Sequence, residues 1–266
     1  MTHSGISTDL IGSMRPRRAF TWVTALAGLW LNVCLAAAPS TGPLYADPAH
    51  PDLSGLWLVS GGMYFAPDRS APKLLGDYQA TYTRRAEAFK AGVAVDDVTA
   101  DCLPAGMPHL LTVPYPFEIM QTPGRVTFLY EYDSVVRRVP TDGSVVQPNP
   151  DKVSYHGDSY GHWEGATLVI DTVNVRDDTQ LDFTGMPHSD ALRITERWRR
   201  KDAKTLENTI TLTDPKAYAE PFTVTRIYQL KPKWKISEYV CEENNRNGRD
   251  EQGRTSGGAS PQKPAP

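Results

Sequence analysis

The chain has 266 residues, of which 40% are hydrophobic, and its 28 Lys and Arg against 31 Asp and Glu give a net charge of −3. Without its ends, this length fits one domain of roughly 200 residues with a real hydrophobic core. Because the basic residues are spread along a slightly acidic chain, the sequence provides no basic field for DNA or RNA, and we expect no nucleic-acid partner.

The N-terminus has the features of an export signal. Arg15, Arg17 and Arg18 precede the apolar run 19–31, which is followed by small alanines. We therefore predict a signal peptide over 1–38 and a periplasmic or secreted protein, with both the general and the twin-arginine export routes left open. The alternative is a membrane-spanning anchor, but the apolar run is too short to cross a bilayer, so we expect no stable membrane anchor.

Composition also marks the boundaries of the folded part. Residues 39–50 are rich in Pro, Ala, Ser and Asp and indicate a linker, whereas 244–266 contain Gly, Pro, Asn, Arg and Gln without an apolar period. Such segments cannot bury enough apolar surface to offset the entropy of ordering, and we expect the tail to be disordered. The sequence thus predicts one β-barrel domain over 51–243.

Removal of the signal peptide leaves two cysteines, Cys102 and Cys241. In an oxidising compartment such a pair is expected to form a disulfide, and the alternative is two separate buried thiols. A bridge between them closes a long loop, which restricts the unfolded chain by about 4 to 5 kcal/mol in the entropy model.

Periodicity predicts one amphipathic helix and many short strands. The helix covers 73–92, where Leu74, Leu75, Tyr78, Tyr82, Ala86 and Phe89 recur every three or four residues. Alternating β-branched and aromatic residues between turn signals predict strands at 54–60, 117–121, 125–132, 134–139, 159–164, 167–173, 191–199, 205–213 and 221–230, with a tenth at 234–241. This pattern predicts an all-β fold, an antiparallel sandwich or a barrel of about 8–10 strands.

The stretch "SGLW" at 54–57 favours the barrel. It resembles the Gly-x-Trp signature at the first strand of lipocalins and other calycins. The resemblance implies an up-and-down barrel in which Trp57 plugs one end and an arginine from a late strand packs over it. We therefore favour a lipocalin/calycin-like barrel with an interior cavity.

Three charged residues share the phase of apolar neighbours in late strands, so their side chains should point inward. They are Glu196 in "ALRITERW", Arg226 in "PFTVTRIYQL" and Glu238 in "WKISEYV". Inward charges need partners, hydrogen bonds or a solvated cavity. Arg226 is expected to cover Trp57 with Glu238 as its counter-ion, and both are also candidate ligand-binding residues. Glu196 either lines a ligand cavity, pairs with Arg226, or lies where the strand locally reverses its facing.

The stretch "HGDSYGHWEGATLVIDTV" at 156–173 predicts a hairpin that places His162 and Glu164 on one face. His188 in "MPHSD" comes just before the strand that carries Glu196. Histidines near carboxylates can act as general bases at neutral pH, although a structural role is the alternative for each one. We predict Glu196, His162 and His188 as catalytic residues and Glu164 as a ligand-binding residue.

Two further residues have the chemistry of a pocket for a small apolar or aromatic compound. They are Glu118 in "YPFEIMQ" and Tyr130 in "FLYEYD". The chain contains no nucleophile elbow, P-loop, dinucleotide fingerprint or close zinc spacing, so we expect no organic cofactor. His156, Asp158 and His162 are too loosely spaced to predict a metal site.

Four longer motifs carry a second resemblance. They are "CLPAGMPHLLTVPYPFEIMQTPG", "GDSYGHWEGATLVIDTV", "PHSDALRITERWRR" and "EYVCEEN". Together, over about positions 52–245, the chain resembles a large family of secreted bacterial proteins. The resemblance implies export and one compact β-rich domain, and it supplies no substrate or catalytic residue. The family pattern has Asp after "WEG", where this chain has Ala166.

Two functions remain for an exported barrel with a pocket for a small apolar or aromatic molecule. The first is a cofactor-free acid–base enzyme, an isomerase, lyase or hydrolase, and the second is a periplasmic binding or carrier protein without catalysis. A purely structural role is the third alternative. We favour the enzyme because a carrier of apolar ligands gains little from a desolvated Glu196. The partner expected is a small-molecule ligand or substrate, and the oligomeric state is left open.

Overall fold

The computed structural model describes residues 47, 49–66, 68, 70–93 and 95–244, together with the short pairs 248–249 and 255–256. The predicted signal peptide, most of the predicted linker and most of the predicted tail lie outside the described residues. Within them the strands are β1 Gly55–Ser60, β2 Phe117–Thr122, β3 Arg125–Tyr130, β4 Val136–Pro140, β5 Asp158–Glu164, β6 Thr167–Val173, β7 Arg193–Arg200, β8 Thr205–Thr213, β9 Phe222–Leu230, β10 Gly248–Arg249 and β11 Thr255–Ser256. The helices are α1 Gly76–Lys90 and α2 Cys241–Asn244.

Nine strands form one antiparallel sheet in the order β4-β3-β2-β1-β9-β8-β7-β6-β5. Two meanders, β1–β4 and β5–β9, are joined where β1 pairs with β9, and the sheet curves into a nearly closed barrel. The predicted all-β, lipocalin-like barrel is therefore confirmed. The two end strands, β4 and β5, lie side by side without a hydrogen-bonded ladder, and we call this boundary the seam.

The seam closes through side chains. Gly161 on β5 faces inward, and a Cβ there would lie 3.1 Å from Cγ1 of Val139 on β4 and 3.0 Å from the carbonyl oxygen of Val169. A larger residue would push the two strands apart, so glycine permits the close approach that nearly completes the barrel.

Aromatic side chains pack in the interior where the sequence predicted a ligand cavity. Trp198, Phe117 and Tyr228 lie with ring centroids 5.0 to 6.0 Å apart, and Phe128 and Tyr130 extend the cluster. All five rings are buried. Contacts of this kind make the middle of the barrel a packed core.

Trp57 is fully buried near one end of the barrel, as the calycin resemblance implies, and its indole Nε1 donates to the Leu53 carbonyl at 3.0 Å. The arginine over its ring, however, is Arg200 from the end of β7, with Cζ 5.3 Å from the ring centroid. The expectation that Arg226 covers Trp57 is wrong.

The predicted tenth strand at 234–241 does not form. Residues 231–240, which we call the strap, have no regular secondary structure and lead into α2, a second short helix that the sequence did not predict. Both edges of β9 already pair, with β1 and with β8, so the segment that follows finds no free edge beside it. Pro232 also removes a backbone donor directly after β9.

The far end of the strap is tied down by a disulfide. Cys102 and Cys241 are bonded with a Cα–Cα distance of 5.7 Å across a sequence separation of 139 residues, which confirms the predicted bridge. The strap is also held where the Ser237 amide donates to Glu131 Oε2 at 2.8 Å. Beyond it, the tail predicted to be disordered contains the two-residue ladder between β10 and β11. Neither helix in the described part of the chain combines the length and the hydropathy of a membrane-spanning segment.

Candidate functional site

Glu196 is fully buried on β7, facing inward as predicted. Its partner is Arg137 on β4, which donates from Nη2 to Oε1 at 2.5 Å and from Nη1 to Oε2 at 3.3 Å. Oε2 also accepts from Trp198 Nε1 at 3.0 Å and from Asn208 Nδ2 at 3.4 Å. The carboxylate is therefore engaged on both oxygens, by a cation that the sequence analysis did not single out.

Arg137 spans the seam. Its Nε donates to Ser159 Oγ on β5 at 2.9 Å, and Nη2 donates to Thr172 Oγ1 on β6 at 2.8 Å. Burial lowers the pKa of Arg137, but the carboxylate of Glu196 more than offsets this effect and the pKa is raised. One side chain of β4 thus binds three strands of the other meander, and the pair serves to hold the barrel closed.

Two polar atoms beside this pair have no hydrogen-bond partner among the described residues: the Tyr130 hydroxyl and Asn208 Oδ1. Tyr130, a predicted ligand-binding residue, is buried in the aromatic core, and burial raises the pKa of its hydroxyl against the opposing charge of Arg137. Orphaned polar atoms in a packed interior are sites where an ordered water molecule is commonly bound.

Arg226 is also fully buried, but it has a different set of partners. Nη1 donates to the Tyr64 carbonyl at 2.6 Å and to the Phe65 carbonyl at 3.4 Å, while Nη2 donates to the Gly62 carbonyl at 2.8 Å. Burial lowers the pKa of Arg226, with the nearby Asp182 opposing the shift. Glu238, predicted to be its counter-ion, is exposed on the strap, so that pairing is wrong.

Asp182 holds the same loop from the other side. Oδ2 of this buried carboxylate accepts from the Phe65 amide at 2.6 Å, and Oδ1 accepts from the Thr184 amide at 2.8 Å. Residues 62–66 are therefore fixed between a buried arginine that binds their carbonyl groups and a buried aspartate that binds an amide. This arrangement gives the loop one defined conformation.

The fixed loop forms one wall of a pocket of about 280 Å³, which we call the α1 pocket. The other walls are helix α1 and the loop that follows β6. The pocket is lined mainly by apolar and aromatic residues, with a few polar groups: Tyr64, Ala66, Ser70, Tyr82, Ala86, Phe89, Lys90, Asp182, Thr184 and Met186. A small volume with apolar walls and few convergent polar groups is typical of sites for small organic molecules.

Helix α1 contributes one face to this pocket. Tyr82, Ala86 and Phe89 recur at helical spacing, yet no residue of α1 is fully buried, and Phe89 is 41% exposed. The helix approaches the loop at Gly185, where φ is +83° and a Cβ would lie 2.5 Å from Arg85 Cβ. The apolar face predicted for this helix is therefore correct, but it was not among the predicted ligand-binding residues.

His162 and Glu164 lie on the outer face of the barrel, and the predicted grouping with Glu196 is wrong. Gly161 pairs with Ile170, which pairs with Glu196, so the inward row of β5 contains Gly161 and excludes its neighbour His162. The His162 side chain is 52% exposed, with Nε2 3.1 Å from Glu164 Oε1. Glu164 also accepts from Arg197 at 2.7 Å, which lowers the pKa of its carboxyl group.

His188 is buried in the loop before β7. Nε2 lies 2.8 Å from Thr179 Oγ1, and Nδ1 lies 3.1 Å from the carbonyl oxygen of Ser189, so both ring nitrogens are engaged within loops and not by Glu196. Burial lowers the pKa of His188, which favours the neutral ring. Its catalytic role stays a prediction.

Glu118 faces the outside of β2, where it lines a groove of about 500 Å³ between β1, β2 and the strap. The predicted ligand-binding residues are thus divided among the core, the outer face and this groove, and none of them lines the α1 pocket. In the part of the chain that the structure describes, no three His, Cys, Asp or Glu side chains are grouped to hold a metal ion. No family model, curated protein or solved structure matches the chain.

Proposed function

We propose that the chain is an exported binding protein that takes a small, mainly apolar or aromatic organic molecule into the α1 pocket. The observation that carries the proposal is the pocket itself, where Tyr64, Tyr82 and Phe89 meet around about 280 Å³ of space. Helix α1 lacks fully buried residues, so a ligand between it and the loops would remove apolar surface from water.

The clamp on residues 62–66 supports a preformed site. Arg226 and Asp182 fix that wall from inside the protein, so the wall need not be ordered when the ligand enters. A preorganised wall reduces the entropy cost of binding, which favours affinity.

Catalysis by Glu196 is the alternative, and its contacts argue against it. Both carboxylate oxygens accept strong hydrogen bonds within the core, whereas a general base needs an oxygen within reach of the substrate proton. Binding without turnover is therefore the better-supported function.

The test of binding uses N-phenyl-1-naphthylamine, a neutral aromatic probe that fluoresces in apolar surroundings. Ala86→Trp fills the α1 pocket and should weaken probe binding at least tenfold. Ala80→Trp makes the same change on an exposed position of the same helix and should leave binding unchanged. Equal binding by both variants and the parent protein would place the probe elsewhere and refute the proposal.

Two observations support export. One is the N-terminal pattern of arginines followed by an apolar run, and the other is the disulfide between Cys102 and Cys241. The expected result is that a fusion of residues 1–38 to a reporter that is active only after export shows activity. Retention of the full chain in the cytoplasm of its own cells would contradict this part of the proposal.

A further inference from the structure

One end of the barrel gathers basic side chains from two distant segments. The turn between β7 and β8 carries Lys201 and Lys204, and the strap carries Lys231, Lys233 and Lys235. The fold places them side by side, because the Leu230 amide donates to the Lys204 carbonyl at 2.9 Å. We call these five lysines the cationic end.

This charge is poorly balanced. Among the described residues the cationic end makes one ion pair, between Lys201 and Glu207 at 4.0 Å, and Glu207 is also bound by Arg199 at 2.7 Å. The nearby Asp202 carboxylate accepts a backbone hydrogen bond from the Lys204 amide. The chain as a whole has a net charge of −3, so the positive field is a local feature of this end.

An aromatic side chain, Trp234, lies among the lysines of the cationic end. Trp234 is 52% exposed, and Lys231 Nζ lies 5.3 Å from its ring centroid. Trp234 borders the groove between β1, β2 and the strap, together with Leu56, Leu230 and Ile236. The charged residues that line this groove are Lys231, Lys235 and Glu118. The surface thus combines a groove lined in part by aliphatic side chains, an amphipathic indole and cations in one place.

We propose that the cationic end and its groove form a peripheral binding surface for a bilayer containing anionic phospholipid. Phosphate groups would pair with the lysines, Trp234 would lie at the level of the headgroups, and the aliphatic groove would accept part of an acyl chain. A nucleic acid matches the charge but offers no aliphatic segment for the groove. The surface shares no lining residue with the α1 pocket, so this inference is independent of the proposed function.

The experiment is co-sedimentation of the purified protein with vesicles. One set contains phosphatidylcholine alone, and the other contains one part phosphatidylglycerol to two parts phosphatidylcholine. Binding is expected to the second set only and to weaken with added salt. Because a lysine near an anionic surface contributes about fivefold, Lys231→Gln/Lys233→Gln/Lys235→Gln should lower the partition coefficient about 100-fold.

The matched control, Lys73→Gln/Lys152→Gln/Lys216→Gln, removes the same charge from other surfaces and should retain binding. Glu118→Gln removes the groove's carboxylate and should strengthen binding a few-fold. The parent protein should show a vesicle-induced blue shift of its tryptophan fluorescence, and Trp234→Phe should abolish this shift.

Three results overturn the proposal. They are equal binding to both vesicle sets, an equal loss in the control variant, and retention of heparin or DNA by a protein that binds neither vesicle set. The last result would assign the cationic end to a soluble polyanion. Circular dichroism of each variant shows whether a loss of binding comes from unfolding.

Discussion

Arg137 and Arg226 are both buried in the barrel, but different groups compensate their charges. Arg137 faces a carboxylate, Glu196, within a network of side chains. Arg226 has no such partner in hydrogen-bonding contact among the described residues, and three backbone carbonyls of the 62–65 loop accept its protons instead.

The pKa values move in opposite directions for this reason. At Arg226, burial outweighs the opposing effects of Tyr228 and Asp182 and lowers the pKa of the guanidinium. At Arg137, the carboxylate of Glu196 outweighs burial and raises the pKa of the guanidinium. The first site therefore joins β4 to three strands across the seam, and the second orders a loop that lines a pocket. A buried arginine can therefore either hold the strands of the barrel together or support the wall of a binding pocket, depending on which groups accept its hydrogen bonds.

The largest effect is expected from Glu196→Gln. This variant keeps the shape of the side chain but leaves the charge of Arg137 buried and unpaired, so the free energy of unfolding should fall by about 3 to 5 kcal/mol. Urea unfolding followed by near-UV circular dichroism measures the loss.

The matched variant is the double change Arg137→Met/Glu196→Leu, which replaces the pair by apolar side chains. It should recover part of the lost stability, because the unpaired charge is removed while Trp198 Nε1 and Asn208 Nδ2 still lose their acceptor. If the double variant were no more stable than Glu196→Gln, an uncompensated charge would not be the cause.

Arg226→Met should cost less, about 2 kcal/mol, because it leaves backbone carbonyls of the loop without donors, while the nearby buried Asp182 carboxylate keeps its hydrogen bonds from the amides of Phe65 and Thr184. Its distinctive effect should be on the α1 pocket, with weaker binding of the aromatic probe as the wall loses its support. Glu196→Gln, measured where it remains folded, should retain probe affinity. The same affinity loss in both variants would remove the distinction between the two arginines.

The charge of Arg137 also affects the pKa of His156. Burial, and secondarily the charge of Arg137, lower the pKa of His156 to about 4. The unfolded chain therefore binds this proton first as the pH falls, and the contribution of His156 to stability should decline from about pH 6.5 to about pH 4, by about 2 kcal/mol after allowance for partial exposure. His156→Gln should flatten this slope in acid unfolding curves, whereas the same change at the exposed His162 should retain it.

Asp133 is half-buried, and among the described residues no cation offsets this burial, which raises the pKa of its carboxyl group to about 6 despite a backbone hydrogen bond with Ala105. Here the folded state keeps its proton longer, so the contribution to stability is full below about pH 4 and is lost as the pH rises through 6. Asp133→Asn should therefore stabilise the protein at pH 7 by about 1 kcal/mol, with solvent screening considered. A stability difference between variant and parent that does not change with pH would contradict this assignment.

Strand periodicity was sufficient to predict most of the barrel. The predicted strands 167–173 and 205–213 agree with β6 and β8 at both ends, because alternation is clear where one face is buried. The prediction of a tenth strand is wrong because an extended segment forms a strand only beside a free edge, and both edges of the neighbouring β9 are already paired. Such an assignment depends on the whole sheet and cannot be made from a local pattern.

Strand phase also applies to the interior residues that were not predicted. Arg137 shares the phase of Val135 and Val139, so the rule that identified Glu196 also applies to Arg137 and would have supplied its partner. On β5 the shared face of His162 and Glu164 was predicted correctly. Trp163 shows which face of β5 points inward, because it packs partly against the core and lies on the opposite face from His162 and Glu164.

The α1 pocket could not be predicted, because its walls come from segments that only the folded chain brings together. Tyr64, Phe89 and Met186 belong to a loop, a helix and another loop, and each alone is an ordinary apolar residue. The cationic end is a similar case, since its lysines lie in two segments that meet only through the end of β9.

The pairing of β1 with β9 affects how the protein can be assembled. The first and last strands of the barrel are direct neighbours, with Trp57 opposite Leu230, while every other pairing joins strands that follow each other along the chain. Each meander can therefore form from local hairpins, but their union must wait until the last strand has been synthesised. Until then β1 presents an open edge and Trp57 has a neighbouring strand, β2, on one side alone, so a truncated or still-emerging chain exposes the kind of surface that chaperones bind and that leads to aggregation.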